Sequence, residues 1–154
     1  MDIEKLRAFL LYCGREGYAH IPEGAMKKEQ DGSTSITLEK ENWKFHDNYF
    51  GGEPYGGREV VFYEGKPVWI MVYYGNVDVA VSDLGPVYGF LKKALALVPD
   101  DAPYRGPTKF LEDDFQYENK WSGSLEDFSG KEIIYLHGEK VYSARYGGGL
   151  VAQR

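Results

Sequence analysis

One 19-residue pattern occurs twice in this chain and decides its fold. Residues 57–75 read GREVVFYEGKPVWIMVYYG, and residues 130–148 read GKEIIYLHGEKVYSARYGG. Six of the 19 aligned positions are identical: Gly57/Gly130, Glu59/Glu132, Gly65/Gly138, Val68/Val141, Tyr73/Tyr146 and Gly75/Gly148. An internal repeat indicates an architecture built from equivalent units.

Each copy has the form of a β-hairpin with a glycine turn, at Gly65 and at Gly138. One further strand precedes each hairpin, at 43–50 and 115–121, an edge strand is expected at 33–40, and helical patterns open at Asp2 and Pro86. The sequence therefore predicts an α+β fold, a pseudo-symmetric duplication of an αβββ unit with a mainly antiparallel sheet and two helices. A single domain, 1–154, would contain repeat one (about 2–81) and repeat two (about 86–149).

The last strand of repeat one is apolar on both faces. Its alternate residues are Trp69, Met71 and Tyr73 on one face, predicted to face the core, and Val68, Ile70 and Val72 on the other. A strand with two apolar faces is normally covered on both. Either the helix at 86–98 covers the second face, or a partner subunit does, which makes a homodimer one expected arrangement.

The composition is that of a globular protein with an acidic balance. Hydrophobic residues make up 43% of the chain and charged residues 27%, and the formal net charge is −6. A negative net charge argues against non-specific binding to nucleic acid or to an anionic membrane. The single cysteine, Cys13, excludes an intrachain disulfide, and no apolar stretch approaches the roughly 20 residues of a membrane span. We expect a cytoplasmic protein with no direct nucleic-acid partner and no membrane partner.

The sequence contains no motif for a metal, a cofactor or a catalytic nucleophile. His20 in a predicted loop, His46 in a strand and His137 in a turn have no ligand spacing, so neither a metal nor a cofactor is expected. The glycine-rich segment 51–57 lacks the ending of a phosphate-binding loop and is predicted to be a turn. Glu59 and Glu132 occupy the same repeat position, which favours a structural role for both.

The most distinctive loop is 98–107, in which three prolines stiffen the chain around Tyr104 and Arg105. A guanidinium on a stiff loop is suited to a carboxylate or phosphate ligand; the alternative is that Arg105 pairs with a neighbouring acid and only pins the loop. Aromatic residues of both repeats would line a cleft at the repeat junction. The predicted ligand contacts are Tyr49, Glu53, Tyr73, Tyr74, Tyr104 and Arg105.

Several short strings in the chain resemble an uncharacterised prokaryotic domain family. They are Tyr49-x-Gly51-Gly52-Glu53, Gly57-x-Glu59-Val60-Val61, Gly65-Lys66-Pro67-Val68-Trp69, Tyr73-Tyr74-Gly75 and Pro103-Tyr104-Arg105-Gly106-Pro107. That family occurs alone or C-terminal to helix-turn-helix modules in candidate transcription regulators. The resemblance implies a domain that acts alone or as the effector part of a regulator, and it assigns no catalytic residues.

These observations favour a non-enzymatic sensor or effector module whose partner is a small anionic molecule or a protein. The alternative is a small hydrolase or transferase with Glu53 or Glu59 as general base and Arg105 stabilising negative charge. The lack of any nucleophile, metal or cofactor motif favours the binding module.

Overall fold

The structure is a computed structural model that describes residues 1–17 and 21–154. Its elements, in chain order, are α1 (Ile3–Tyr12), a π-helical turn (Cys13–Gly17), β1 (Met26–Lys28), β2 (Thr34–Lys40), β3 (Trp43–Gly51), β4 (Tyr55–Tyr63), β5 (Lys66–Val77), α2 (Leu84–Ala96), β6 (Lys109–Glu112), β7 (Phe115–Ser124), β8 (Asp127–Leu136) and β9 (Glu139–Leu150). Within these residues, neither α1 nor α2 has the length and apolarity needed to cross a membrane.

The nine strands of the described chain form one sheet in the order β1-β2-β3-β4-β5-β9-β8-β7-β6, with every neighbouring pair antiparallel. The hairpins β4–β5 and β8–β9 meet where β5 pairs with β9, and Tyr73 lies opposite Tyr146 at that junction. The predicted α+β class, with a mainly antiparallel sheet and two helices, is confirmed.

The two hairpins have turns of the same geometry. Glu64 and Gly65 have φ of 49° and 76°, and His137 and Gly138 have φ of 51° and 81°. Two successive positive φ values are characteristic of a two-residue type I′ turn, in which glycine carries no steric penalty. Both hairpins also contain a register shift at the equivalent place, shortly before the turn.

The sheet has two more strands than predicted. The sequence predicted three strands in each repeat and one edge strand at 33–40. β1 pairs outside β2, so the strand at 34–40 is not the edge, and β6 pairs outside β7. These strands have three and four residues, too few to show an alternating pattern in the sequence. His20, predicted to lie in a loop, falls outside the described residues.

Both helices pack on the same face of the sheet, which we call the helix face. Asp2 caps α1 by accepting a hydrogen bond from the Lys5 backbone N at 3.2 Å, and α1 buries Leu6, Phe9 and Leu10 against the β2–β5 half. The buried side of α2 packs on the β7–β9 half, in a cluster of residues that includes Val87, Phe90, Leu91, Ala94, Tyr117, Ile134 and Tyr142.

The opposite face, which we call the open face, has no helix on it among the described residues. The prediction that the helix at 86–98 covers the second apolar face is therefore wrong, because α2 packs on the helix face. Trp69 and Met71 are fully buried, as predicted for the core side. Of the predicted second face, Val68 is buried, Ile70 is half-buried and Val72 is 55% exposed, and Tyr74 beside them is 59% exposed. Cover from a partner subunit stays a prediction.

Two glycines of the repeat make room for two buried tyrosines. Gly57 lies opposite Tyr73 and Gly130 opposite Tyr146 in their hairpins. A Cβ on Gly57 would lie 2.7 Å from the Tyr73 hydroxyl, and a Cβ on Gly130 would overlap the ring of Tyr146. This close approach explains why both copies keep a glycine and a tyrosine at these positions.

We expect Gly130→Ala to lower the free energy of unfolding by about 1–3 kcal/mol, the usual cost of overpacking a core. Urea unfolding followed by circular dichroism measures this change. Gly89→Ala is the matched control, because a Cβ there meets nothing within 4 Å and alanine favours a helix by about 0.5–1 kcal/mol over glycine. Equal stability of Gly130→Ala and the parent chain would contradict the packing argument.

Candidate functional site

Three carboxylates lie on the helix face in the interior of the structure. Asp47 on β3, Glu59 on β4 and Glu132 on β8 are 5%, 9% and 0% exposed. Asp47 and Glu59 are direct cross-strand partners. We call these three residues the carboxylate cluster. Among the described residues, no group of three or more histidine, cysteine or acidic side chains is arranged to hold a metal ion.

Arg105 supplies the positive charge beside Glu132. Its Nη2 lies 2.5 Å from Glu132 Oε1, and its Nε donates to Oε2 at 3.3 Å. Burial is the largest single effect on the pKa of Arg105 and lowers it. The charge of Glu132, the hydroxyls of Tyr55 and Tyr142 and the hydrogen bond to Glu132 together outweigh burial and hold that pKa well above its ordinary value. The two side chains therefore form a buried, charged ion pair, and the guanidinium also lies 5.6 Å from the centre of the Tyr73 ring.

Tyrosine hydroxyls complete the hydrogen bonding of Glu132. Tyr117 donates to Oε2 at 2.6 Å and Tyr142 donates to Oε1 at 2.8 Å. Burial raises the pKa of both phenols, and the charge of Glu132 is the second-largest cause and raises it further. Both hydroxyls therefore stay neutral and act as donors. Tyr55 extends the network, with its hydroxyl 2.5 Å from that of Tyr142. Glu132 is thus fully enclosed and fully satisfied, as a buried charge requires.

A similar tyrosine contact occurs in both halves of the sheet. The Tyr73 hydroxyl donates to Asp47 Oδ1 at 2.6 Å, and the Tyr146 hydroxyl donates to Asn119 Oδ1 at 2.8 Å. Asp47 and Asn119 are corresponding positions in the two repeats, and so are Tyr73 and Tyr146. The halves differ in charge, because an amide in one replaces a carboxylate in the other.

Glu59 differs from Glu132 in the partners that the described part of the chain offers to its carboxyl. Within residues 1–17 and 21–154, no hydrogen bond or ion pair to its carboxyl is found, and no fully enclosed side-chain oxygen or nitrogen lacks a partner. Glu59 as a residue is 9% exposed, so a small part of it reaches solvent. Burial, and then the charge of Asp47, raise the pKa of Glu59 well above its ordinary value. Glu59 is the one member of the cluster that is open to a new partner.

The 98–107 loop packs inward and does not present a free tip. Tyr104 and Arg105 are both buried, and the Tyr104 ring stacks on Phe128 at 4.0 Å. Two arginines from the N-terminal helical segment tie down the start of the loop: Arg7 Nη1 donates to the Asp101 carbonyl at 2.9 Å, and Arg15 Nη2 donates to the Val98 carbonyl at 2.8 Å.

The six predicted contact residues do not form one site. Tyr73 and Arg105 belong to the network around the carboxylate cluster. Glu53 accepts from the Val77 backbone N at 2.8 Å and from the Tyr88 hydroxyl, which joins β5 and α2. Tyr49 is half-buried in the same cross-strand row as Tyr73, with Gly57 between them. Two further positions lie apart from this network: Tyr104 packs on Phe128, and Tyr74 is on the open face.

The carboxylate cluster and Arg105 all fall within a region that has been recognised before. A family model for a domain of unknown function, DUF5680, matches residues 47–151, about two thirds of the chain. The chain belongs to the DUF5680 family. The matched region starts at Asp47 in β3 and includes β4 to β9. No curated protein and no solved structure matches the chain. For DUF5680, function must therefore be argued from the site itself.

The sequence favoured a structural role for Glu59 and Glu132 and named Tyr73 only as a ligand contact. It did not indicate Asp47, Asn119 or the hydrogen bonds that the buried tyrosines donate. The signal for Asp47 was available, because Asp47 alternates with Phe45 and Tyr49 on the face that begins with Trp43. A carboxylate on a core-facing strand position is rare unless it is paired. That pattern would have indicated a buried acid, though not its partners.

Proposed function

We propose that this DUF5680 domain is a non-enzymatic sensor module that binds a small cationic ligand at the Glu59 carboxyl. The single observation that carries the proposal is that Glu59 is 9% exposed and that its carboxyl has no hydrogen-bond or ion-pair partner within residues 1–17 and 21–154. A buried carboxylate is stabilised by an opposite charge within about 4–6 Å. A ligand ammonium group at this position would supply that charge.

The charge balance of the cluster supports a cation over an anion. Besides burial, the charges of Asp47 and Glu132 raise the pKa of Glu59, and the charge of Arg105, which is bound to Glu132, lowers it. A cation at Glu59 would favour release of the Glu59 proton, whereas an anion would not. The sequence predicted an anionic ligand on the basis of Arg105. Because Arg105 binds Glu132, we propose a cationic ligand instead.

Aromatic rings near the cluster support the same ligand class. Tyr55 packs against Tyr73 and Tyr88, with ring centroids 5.9 and 6.0 Å apart. Tyrosine faces attract organic cations by about 0.5–2 kcal/mol each. A carboxylate next to phenol rings is a favourable environment for an alkyl or aryl ammonium ion.

A binding screen tests this proposal. Thermal unfolding is measured with ethylammonium, phenethylammonium and tetramethylammonium at rising concentration. A ligand at one hundred times its dissociation constant stabilises by about 2.7 kcal/mol, which raises Tm by about 5–10 °C in a domain of this size. We expect Glu59→Gln to abolish the shift and Glu139→Gln, at the exposed first residue of β9, to retain it.

Two results would refute the cation site. One is a screen in which no ammonium ion stabilises the protein. The other is equal stabilisation of the parent chain and Glu59→Gln, or equal stabilisation by phenethyl alcohol, the neutral analogue of phenethylammonium.

A hydrolase or transferase is the second candidate, favoured by the raised pKa of Glu59 beside Asp47. A protonated carboxyl near a second carboxylate can act as general acid or base. The proposed role of Arg105 in stabilising negative charge is weakened, because the guanidinium binds Glu132. Turnover of an ester or phosphoester panel that Glu59→Gln abolishes would favour this candidate over a sensor.

We also propose that the two halves arose by duplication and that the domain can serve as the effector part of a transcription regulator. The matching turns, the paired register shifts and the two Gly–Tyr contacts support the duplication.

The proposed role in a transcription regulator rests on the family resemblance alone. Binding of a ligand at Glu59 would be the signal that the regulator detects.

A further inference from the structure

One row of side chains crosses the open face through six neighbouring strands. The cross-strand register places in this row Phe50, Gly56, Tyr74, Arg145, Lys131 and Lys120, from β3, β4, β5, β9, β8 and β7. Because neighbouring strands lie about 4.8 Å apart, the row is about 24 Å long. We call it the open-face row; its aromatic residues stand at one end and its cations at the other.

The cationic end of the row has no compensating charge. Arg145, Lys131 and Lys120 are exposed, and in residues 1–17 and 21–154 none of them forms an ion pair. Like charges directly opposite on adjacent strands destabilise a sheet. Glu118, the nearest acid on the same face of β7, accepts a hydrogen bond from Gln116. A bound polyanion would remove this repulsion, although the whole chain is acidic.

The aromatic end of the row is unusually exposed. Phe50 is 50% exposed and Tyr74 59% exposed. Gly56 separates them, and a Cβ there would lie 3.0 Å from the Tyr74 ring. Exposed rings on an open antiparallel sheet are stacking surfaces for unpaired bases.

The surface beside the cations is shallow. Ser122 and Ser129, with Gly147, form the adjacent row across β7, β8 and β9. A depression of about 530 Å³ at this place is lined by Ser122, Ser129, Lys120, Lys131 and Arg145, together with Trp121, Gly130 and Tyr146. A wide, shallow surface suits an extended chain, whereas small-molecule sites enclose most of their ligand.

We propose that the open face binds single-stranded nucleic acid, with phosphates along Arg145, Lys131 and Lys120 and bases stacked on Tyr74 and Phe50. A row of about 24 Å accommodates roughly four nucleotides, the lower end of site sizes on open sheets and barrels. A duplex lacks the free base faces that the aromatic end would contact. This site is on the opposite side of the sheet from Glu59, so the test of nucleic-acid binding does not depend on whether Glu59 binds a cation.

The test is fluorescence anisotropy of the full chain with 5′-labelled oligothymidylate, dT12, in 20 and 200 mM NaCl. Three phosphate contacts on a single strand give a slope of about −2 for log K against log salt, so the affinity should fall about a hundredfold between these concentrations. Tyr74→Ser should weaken binding by about tenfold, the scale of one lost stacking contact. Lys131→Glu should weaken it at least as much, since it replaces the middle cation by an anion.

The matched control is Lys92→Glu, the same charge change at an exposed position of α2, on the other side of the sheet. Its affinity for dT12 should stay within about twofold of the parent, and all variants should keep the parental Tm within a few degrees. The proposal is overturned if dT12 does not bind in 20 mM NaCl, or if Lys92→Glu and Lys131→Glu lose equal affinity for dT12. It is also overturned if a DNA duplex binds as tightly as dT12. An oligoglutamate peptide that competes fully, with Tyr74→Ser without effect, would indicate an acidic protein partner and also overturn it.

Discussion

Replacing Arg105 by methionine is expected to lower the free energy of unfolding by about 3–5 kcal/mol, the usual effect of removing one partner from a buried ion pair. Arg105 is 8% exposed and Glu132 is 0% exposed, with their atoms 2.5 Å apart. Without the guanidinium, Glu132 would keep its charge in the interior beside two other acids, or would have to take up a proton. Chemical denaturation at pH 7 measures the loss.

The matched control is Lys93→Met, which removes the ion pair between Lys93 and Glu112 on the surface, where the two side chains are 59% and 39% exposed. Exposed pairs contribute only about 0–1 kcal/mol. The double variant Arg105→Met, Glu132→Gln should recover part of the loss, because it removes the unpaired charge as well. An Arg105→Met variant as stable as Lys93→Met would show that the buried pair does not hold the loop in place.

Glu59 is expected to make the protein less stable as the pH rises above about 4.3, the pKa of an unfolded glutamate. Burial and Asp47 raise the pKa of Glu59 in the folded protein, so the folded chain keeps a proton that the unfolded chain releases. The unfolded state then binds fewer protons, and the free energy of unfolding falls with pH by up to about 1.4 kcal/mol per pH unit until the folded-state pKa is passed.

Glu59→Gln removes this titration, so the variant should be the more stable protein at pH 8, with the difference shrinking towards pH 4. The quantity to measure is the difference between the two chains at each pH, since Glu29 and Asp31, whose pKa values are lowered by hydrogen bonds to Ser35 and Ser33, act in the opposite direction. Glu139→Gln should run parallel to the parent chain. A Glu59→Gln profile parallel to the parent would mean that Glu59 ionises normally.

The hairpins and their turns were predictable because they depend on residues close together in the chain. Gly65 and Gly138 each stand between two runs of alternating apolar residues, and this local pattern is enough to predict a tight turn. The short strands β1 and β6 exist only because a neighbour offers hydrogen bonds. Nothing in their own three or four residues distinguishes them from loops.

The candidate site was less predictable because its contacts join distant parts of the chain. Arg105 lies 27 residues from Glu132 and 50 from Tyr55, and Tyr55 in β4 is brought to this side of the sheet by the pairing of β5 with β9. The helical pattern at 86–98 gave the length of α2 but not the face on which it packs. For the same reason the sequence could name Arg105 without naming its partner.

The sheet is widest in the middle and tapers towards both sides. β5 and β9 at its centre have 12 residues each, whereas β1 and β6 at its margins have three and four. The unpaired backbone N–H and C=O groups of an edge strand can form hydrogen bonds with a strand of another molecule. Short edge strands that carry lysine have few such groups and disfavour this pairing. β1 contains Lys27 and Lys28, and β6 contains Lys109. A chain whose strands are rich in valine and tyrosine is thereby protected from edge-to-edge aggregation, although Met26 in β1 and Leu111 in β6 are exposed.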